Sequence, residues 1–356
     1  MMGKQMKRYL LIASMLATSL LPSIAQLSSE NYVQTSTRIS DSQMQTVTQY
    51  YDGLGRPTEK VEHGVTPNGE NLVHFQEYDG LGRDLQSWLP VKTSSSFLGA
   101  SDVSSLSQRQ YHDSRAYSAF VYDGSPLDRV VQEEGVGEDW KNHPVQTEYL
   151  INTNSFPLDC KYYRVSMQGE LLDKGYYPEG RLKITKNTDE DGHESYEFKN
   201  LSDRVVLRRT MLSEKESSDT YYIYDYRGNL SFVLPPNYQE EASLDKYAYQ
   251  YKYDGRSNCI WKKQPGCEPI YMRYTRNNRL AFQQDGNLRK QGVWEFNVYD
   301  KLGRMVVSGI TSSVSDVSET YVYAQYIGTG SLDGYEVVGA TINPKSLLVT
   351  NFYDDY

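Results

Sequence analysis

The chain has 356 residues, with 37 Lys+Arg against 46 Asp+Glu, a formal net charge of −9 and a mean hydropathy of −0.66. That acidic balance argues against a nucleic-acid partner, which needs a basic face, and three cysteines, Cys160, Cys259 and Cys267, are too few for a disulfide framework. Tyrosine is the outlier, with 32 residues against 9 Phe and 4 Trp; it favours strands, where the ring packs on a neighbouring row and the hydroxyl stays wet.

At the N-terminus, Lys4, Lys7 and Arg8 precede an apolar stretch from Leu10 to Leu21. Pro22 breaks it, and Ser23 and Ala25 place small side chains before Gln26. This is a signal-peptide pattern, residues 1–25. The apolar run is shorter than the roughly 20 residues of a membrane span, and no later segment is long and apolar enough to make one. Residues 1–25 hold three basic groups and no acid, so their removal would leave 34 against 46, a net of −12. Export is therefore expected, to the periplasm, the cell surface or the outside.

The body of the chain repeats itself. Tyr51-Asp52-Gly53-Leu54-Gly55-Arg56 recurs as Tyr78-Asp79-Gly80-Leu81-Gly82-Arg83 and as Tyr299-Asp300-Lys301-Leu302-Gly303-Arg304. Looser copies start at Tyr122, Phe198, Tyr224, Tyr253 and Tyr274; from residue 198 the start-to-start spacings are 26, 29, 21 and 25, about two or three strands with their turns. The unit reads as a hairpin corner. The Tyr ends a strand, the Asp carboxylate accepts backbone N–H groups of the turn, the second Gly supplies a left-handed backbone position, and the Arg restarts the next strand. That Arg is placed to pair with an Asp or to lie on a Tyr face. Between corners, Tyr221-Tyr222-Ile223-Tyr224, Tyr247 to Tyr253 and Trp294 to Tyr299 alternate at the period of strands.

The predicted organisation is an extended segment over 26–46, an N-terminal β domain over 47–165 with a Ser-rich loop from Thr93 to Ser107, a regular repeat array over 166–310, and a linker with the start of an unfinished repeat region over 311–356. Weak helical patterns are expected at Tyr111 to Phe120 and around Glu240 to Tyr247.

Few residues invite chemistry. Asn187-Thr188-Asp189-Glu190-Asp191-Gly192 opens like a calcium loop, but Phe198 stands at the twelfth position, where the loop needs an acid; a hairpin turn at Asp191-Gly192 is the better reading. Glu133-Glu134 and Glu138-Asp139 resemble paired glycosidase carboxylates only in composition, because Gly135 and Gly137 mark a solvated loop. The five histidines lack metal-ligand spacing, and no nucleophile elbow is present. Cys259 and Cys267 flank the turn signal Pro265-Gly266, either as a hairpin disulfide or as two reduced thiols.

The corners resemble the YD or RHS repeat family over roughly residues 47–310. The N-terminal third, with Trp88-Leu89-Pro90, looks like the uncharacterised domain that often opens secreted RHS-repeat proteins. The resemblance implies an all-β fold of repeated antiparallel hairpins forming an extended, spiralling sheet, a partial β-shell, that can be associated with a C-terminal toxin or act at a cell surface. The expected protein is thus an exported, non-catalytic scaffold with corner-forming Tyr51, Asp52, Gly55, Arg56, Tyr78, Asp79, Gly82, Arg83, Tyr299, Asp300, Gly303 and Arg304. Downstream toxin segments or cell-surface glycans and proteins are the expected partners, with no cofactor, metal or nucleic acid. An adhesion module binding glycans or proteins is the alternative, and a glycan-active hydrolase the remote one.

Overall fold

A computed structural model describes residues 30–41 and 43–353; the leader over 1–25 lies outside them. The described residues are nearly all β, and their contacts divide the chain into two units, residues 1–142 and 143–356. None of their helices is long and apolar enough to cross a membrane.

The first unit is an antiparallel meander. Strand Asn31–Ser40 pairs with Gln43–Tyr51, which pairs with Pro57–Glu62, which pairs with Asn71–Tyr78. Asn71–Tyr78 then pairs with both Asp84–Trp88 and Val91–Thr93, and Asp84–Trp88 continues to Tyr117–Tyr122 and Val130–Glu134. Pro90 has no N–H to give a ladder, and it sits in the break between the two short strands. Tyr50, Val61, Val73 and Val91 fall on one face at alternate positions and form the core with Leu98 and Val103.

A helix, Ala100–Tyr111, closes that core, burying Val103 and Ser107 one turn apart. It occupies the Ser-rich stretch expected to be a loop, while the weak helical pattern from Tyr111 to Phe120 gives way to strand Tyr117–Tyr122. Serine is a poor helix former, so burial of Val103, not propensity, sustains this helix. Ser105 spends its hydroxyl on the Ser101 carbonyl within it.

In the second unit, Val145–Ile151 pairs with Lys183–Thr188, and a continuous meander runs from there through Glu194–Lys199, Val205–Met211, Ser217–Tyr224, Leu230–Leu234, Tyr249–Tyr253, Cys259–Lys263, Ile270–Tyr274, Leu280–Gln284 and Trp294–Tyr299 to Met305–Thr311. The break between units thus lies near 142, not at 165, because Val145–Ile151 is the array's first strand. Short helices, Pro236–Glu240, Leu244–Tyr247 and Gly286–Lys290, fill the ends of hairpins opposite the corners.

Residues 311–350 are not a linker. Pro344–Thr350 pairs with Met305–Thr311 as the next strand, and the intervening segment folds back as the hairpin Tyr323–Tyr326 with Tyr335–Val338. Val317, Val322, Ala324 and Leu332 are buried there against Phe282, Phe296 and Val307. A second cluster packs Phe198, Leu207, Phe232 and Leu234 under the loop holding Cys160. Each fully buried Phe contributes about 1.5–3 kcal/mol relative to exposure. The first and last strands of the meander do not pair with each other, so the sheet is not closed into a barrel.

Candidate functional site

The recurrent corners share one bonding scheme. Asp52 Oδ1 accepts the N–H groups of Leu54 and Arg56, each at 2.9 Å, and its Oδ2 accepts from Arg56 Nε at 2.7 Å. Asp79 does the same with Leu81 and Arg83, and Asp300 takes the N–H and Nε of Arg304 at 2.8 and 2.6 Å. Gly55, Gly82 and Gly303 stand at φ +81°, +86° and +88°, where a Cβ strains the chain. The looser copies change letters but keep the bonds. Asn229 and Asn258 replace the Arg and donate Nδ2 to Asp225 and Asp254 at 2.9 Å. The backbone N–H groups of Arg56 and Arg83, then their guanidinium groups, hold Asp52 and Asp79 below the usual carboxylate range. Burial opposes this at Asp300, but the bonds from Arg304 outweigh it.

Successive corners are also tied to each other. The Arg56 guanidinium lies 4.6 Å from the Tyr78 ring centroid, Arg83 4.4 Å from Tyr122, Arg204 5.6 Å from Tyr224, Arg279 5.3 Å from Tyr299 and Arg304 4.4 Å from Tyr353. The Tyr hydroxyls then donate to the carbonyl just after the preceding corner: Tyr78 to Pro57 at 2.8 Å, Tyr122 to Asp84 at 2.9 Å, Tyr224 to Val205 at 3.0 Å, Tyr253 to Leu230 at 2.8 Å, Tyr299 to Leu280 at 3.2 Å and Tyr353 to Met305 at 3.2 Å. Each of these hydroxyls thus has a backbone partner, those of Tyr78, Tyr122 and Tyr353 at exposed positions. Tyr274 breaks the series, its hydroxyl meeting the Met272 sulfur at 3.8 Å. A Cβ built on Gly303 would fall onto the Arg279 guanidinium, which donates to the Gly303 carbonyl at 2.8 Å. Gly303 is therefore required twice, by its φ and by the arginine from the preceding corner.

The corner tips leave apolar side chains in water. Leu54, Leu81 and Leu127 in the first unit, and Leu201, Tyr226 and Leu302 in the second, are largely exposed.

The other sequence candidates fall into structural roles. Asp189 Oδ1 accepts the N–H groups of Asp191 and His193, and Gly192 sits at φ +84°, which makes this stretch a hairpin turn. Glu134 is ion-paired with buried Arg115, and Glu138 binds Lys141 and Ser114. Among the described residues no cluster of His, Cys, Asp and Glu could hold a metal. The disulfide alternative for Cys259 and Cys267 is corrected: both are free thiols. The register Trp261↔Tyr271 and Lys262↔Ile270 puts Cys267 beyond the end of the ladder, not across from Cys259; a bridge needs Cα atoms within about 7 Å on facing positions.

Sequence reasoning passed over three features. Glu59, 1% exposed, points into the first core, where its carboxylate takes the Leu98 N–H at 3.0 and 3.2 Å with no ion-pair partner among the described residues; burial raises its pKa to about 7. Arg209, 4% exposed, chelates Asp219 through Nε and Nη2 at 2.9 and 2.7 Å and holds Asp159 and the Pro157 carbonyl through Nη1, between the rings of Phe156 and Phe198. A cleft of about 570 Å³ opens in the second unit over Tyr271, Arg273, Gln284, Trp294 and Asp316.

Residues 24–152 match the family model described as a domain of unknown function, DUF6443. No curated protein matches the chain. Solved structures share its fold. The crystal structure of TcdB2-TccC3-Cdc42 aligns with a TM-score of 0.55 at 14% identity, covering 91% of this chain and 16% of that one. The crystal structure of TcdB2-TccC3 gives 0.54 at 14% identity over 85% of this chain and 14% of that one. The Tc holotoxin pore of Photorhabdus luminescens, with a TccC3 mutation, gives 0.54 at 14% identity over 83% of this chain and 14% of that one. The chain therefore spans about one-sixth or less of the length of these structures.

Proposed function

We propose that the chain is a structural segment of an RHS/YD-type β-shell, exported, non-catalytic and associated with a secreted toxin system. The observation that carries this reading is the corner ladder. At five corners the arginine, Arg56, Arg83, Arg204, Arg279 or Arg304, lies on the next tyrosine, whose hydroxyl returns to the carbonyl behind it, so the scheme extends by repetition without a new core. The free edges fit the same role. Among the described residues, Asn31–Ser40 and Pro344–Thr350 each have one strand partner only, and Tyr353 already fills the place of a next corner tyrosine. Unpaired edges of this kind accept further strands. The exposed tip leucines add apolar surface that a larger assembly would cover. The shared fold with TcdB2-TccC3 supports a toxin-associated setting.

The test is isolation of the chain from its own host, with an epitope tag in the exposed turn between Pro57–Glu62 and Asn71–Tyr78, followed by N-terminal sequencing and electron microscopy. The expected result is tagged protein outside the cytoplasm, beginning at Gln26, within a sheet that continues past Pro344–Thr350. A cytoplasmic protein with its leader intact, or a lone chain that degrades a polysaccharide panel, would overturn the proposal.

A further inference from the structure

The strand register places Tyr271, Arg273 and Gln284 on the same face as Phe282, Phe296 and Trp294, because directly opposed residues share a face and Arg273 opposes Phe282. Over Phe282 and Phe296 that face is covered by the segment carrying Val317 and Val322. Beside this cover the cleft remains open, and Tyr271 and Arg273 reach solvent in it. Its volume lies in the range of small-ligand sites.

Three kinds of unused binding capacity converge there. The Arg273 guanidinium rests against the Trp294 ring, 5.3 Å from its centroid; the Asp316 carboxylate is the charge that faces it, but no direct hydrogen bond or ion pair occupies its N–H groups among the described residues. A guanidinium held on an aromatic face keeps its edge N–H fork free for a planar carboxylate. Asp316 uses Oδ1 for the N–H and hydroxyl of Ser318 at 3.1 and 2.9 Å, which leaves Oδ2 as an acceptor. Gln284 donates Nε2 to the Val293 carbonyl at 2.9 Å, which leaves its Oε1 as another. Tyr271 and Trp294 add aromatic surface, each ring with a guanidinium over one face, Arg289 on Tyr271 and Arg273 on Trp294. A ligand that uses all of this must carry a carboxylate, several hydroxyl donors and a ring with an apolar face. A phosphate group alone would leave the acceptors on Asp316 and Gln284 without sugar hydroxyls to pair, and an acidic peptide offers carboxylates without the hydroxyls.

We propose that this cleft binds a uronic-acid-bearing saccharide, with the sugar carboxylate on Arg273 and the sugar hydroxyls on Asp316 and Gln284. It is a separate capacity from the shell role, and its failure would leave that role standing.

The test is calorimetric titration of the purified chain with three probes: oligogalacturonate, the neutral galacto-oligosaccharide of the same length, and oligoglutamate. Oligogalacturonate should bind, the neutral sugar and the peptide at least tenfold more weakly. Arg273→Gln should lower oligogalacturonate affinity tenfold or more, and Arg273→Lys, which keeps the charge but not the fork, should lower it as well. Both substitutions fall at an exposed position, and an unchanged thermal midpoint shows that the fold is intact. No binding of oligogalacturonate, equal binding of oligoglutamate, or affinity indifferent to Arg273→Gln would each overturn the proposal.

Discussion

Three glycines of the first unit separate the two demands made on a corner. Gly53 has an ordinary φ and nothing within 4 Å of where a Cβ would stand, so Gly53→Ala should change stability by less than about 0.5 kcal/mol. Gly55 also has open space, but its φ is +81°; Gly55→Ala should cost about 1–2 kcal/mol in backbone strain. Gly82 has φ +86° and the Arg56 side chain against its Cβ position. Gly82→Ala carries the same strain and also pushes Arg56 off the Tyr78 ring, a contact worth roughly 0.5–1 kcal/mol at an exposed site. The excess of Gly82→Ala over Gly55→Ala thus reads the link between corners. Urea unfolding of the whole chain, followed by tryptophan fluorescence, gives all three values by linear extrapolation. If Gly55→Ala were as mild as Gly53→Ala, the corner geometry would be wrong; if Gly82→Ala were no worse than Gly55→Ala, the ladder would carry no energy.

Glu59 makes the first unit lose stability as pH rises from about 4.5 to about 7. Its folded pKa of about 7 lies above the ordinary 4.5, so its stabilising contribution is complete below the unfolded value and is lost as pH rises through the folded one. At about 1.4 kcal/mol per unit, the loss is about 3.5 kcal/mol; Glu59→Gln should flatten the dependence of the urea midpoint on pH, and an unchanged slope would refute this. Removing Arg209 by Arg209→Ala leaves the half-buried Asp159 and Asp219 without their cation, at an expected cost of about 3 kcal/mol; Arg209→Lys should recover only part, since an ammonium cannot replace the fork, and thermal unfolding reads both. Cys267 is exposed and should react with a thiol reagent in the folded protein, whereas Cys160, buried with its thiol pushed up, should react only on unfolding. Slow labelling of Cys267 would contradict its placement.

The repeat was legible because its punctuation is local. A carboxylate that accepts N–H groups two and four residues on, and a glycine at positive φ, are requirements of the turn alone, and Asp52, Asp79 and Asp300 announce them in sequence. Alternating rings such as those of Tyr221 to Tyr224 gave the strands for the same reason. The remainder depends on contacts distant in sequence. Glu59 sits in Pro57-Thr58-Glu59-Lys60-Val61-Glu62, where an acid reads as solvated, and only the Leu98 N–H explains its burial. Arg208-Arg209 reads as two surface cations, yet alternation sends the second inward to Asp159, fifty residues away. The helix Ala100–Tyr111 was hidden by serines, and the strand Pro344–Thr350 by an insertion that lengthens one hairpin without ending the meander.

The ladder also accounts for the composition. A large sheet built by lateral addition has little enclosed volume per strand, so it cannot rely on a thick aliphatic core. Tyrosine meets that constraint at the corners: the ring covers the preceding arginine, and the hydroxyl satisfies a carbonyl that the turn leaves unpaired. Each sharp corner carries one Asp and one Arg bonded to each other, so lengthening the array adds no net charge from these pairs and builds up no field along that edge. The chain's acidity therefore resides elsewhere, where it favours solubility without straining the repeated joint. Because a joint with an arginine–tyrosine pair is closed by its immediate neighbours, its stability should be nearly independent of how many joints follow. That property lets one short motif serve a sheet of any length.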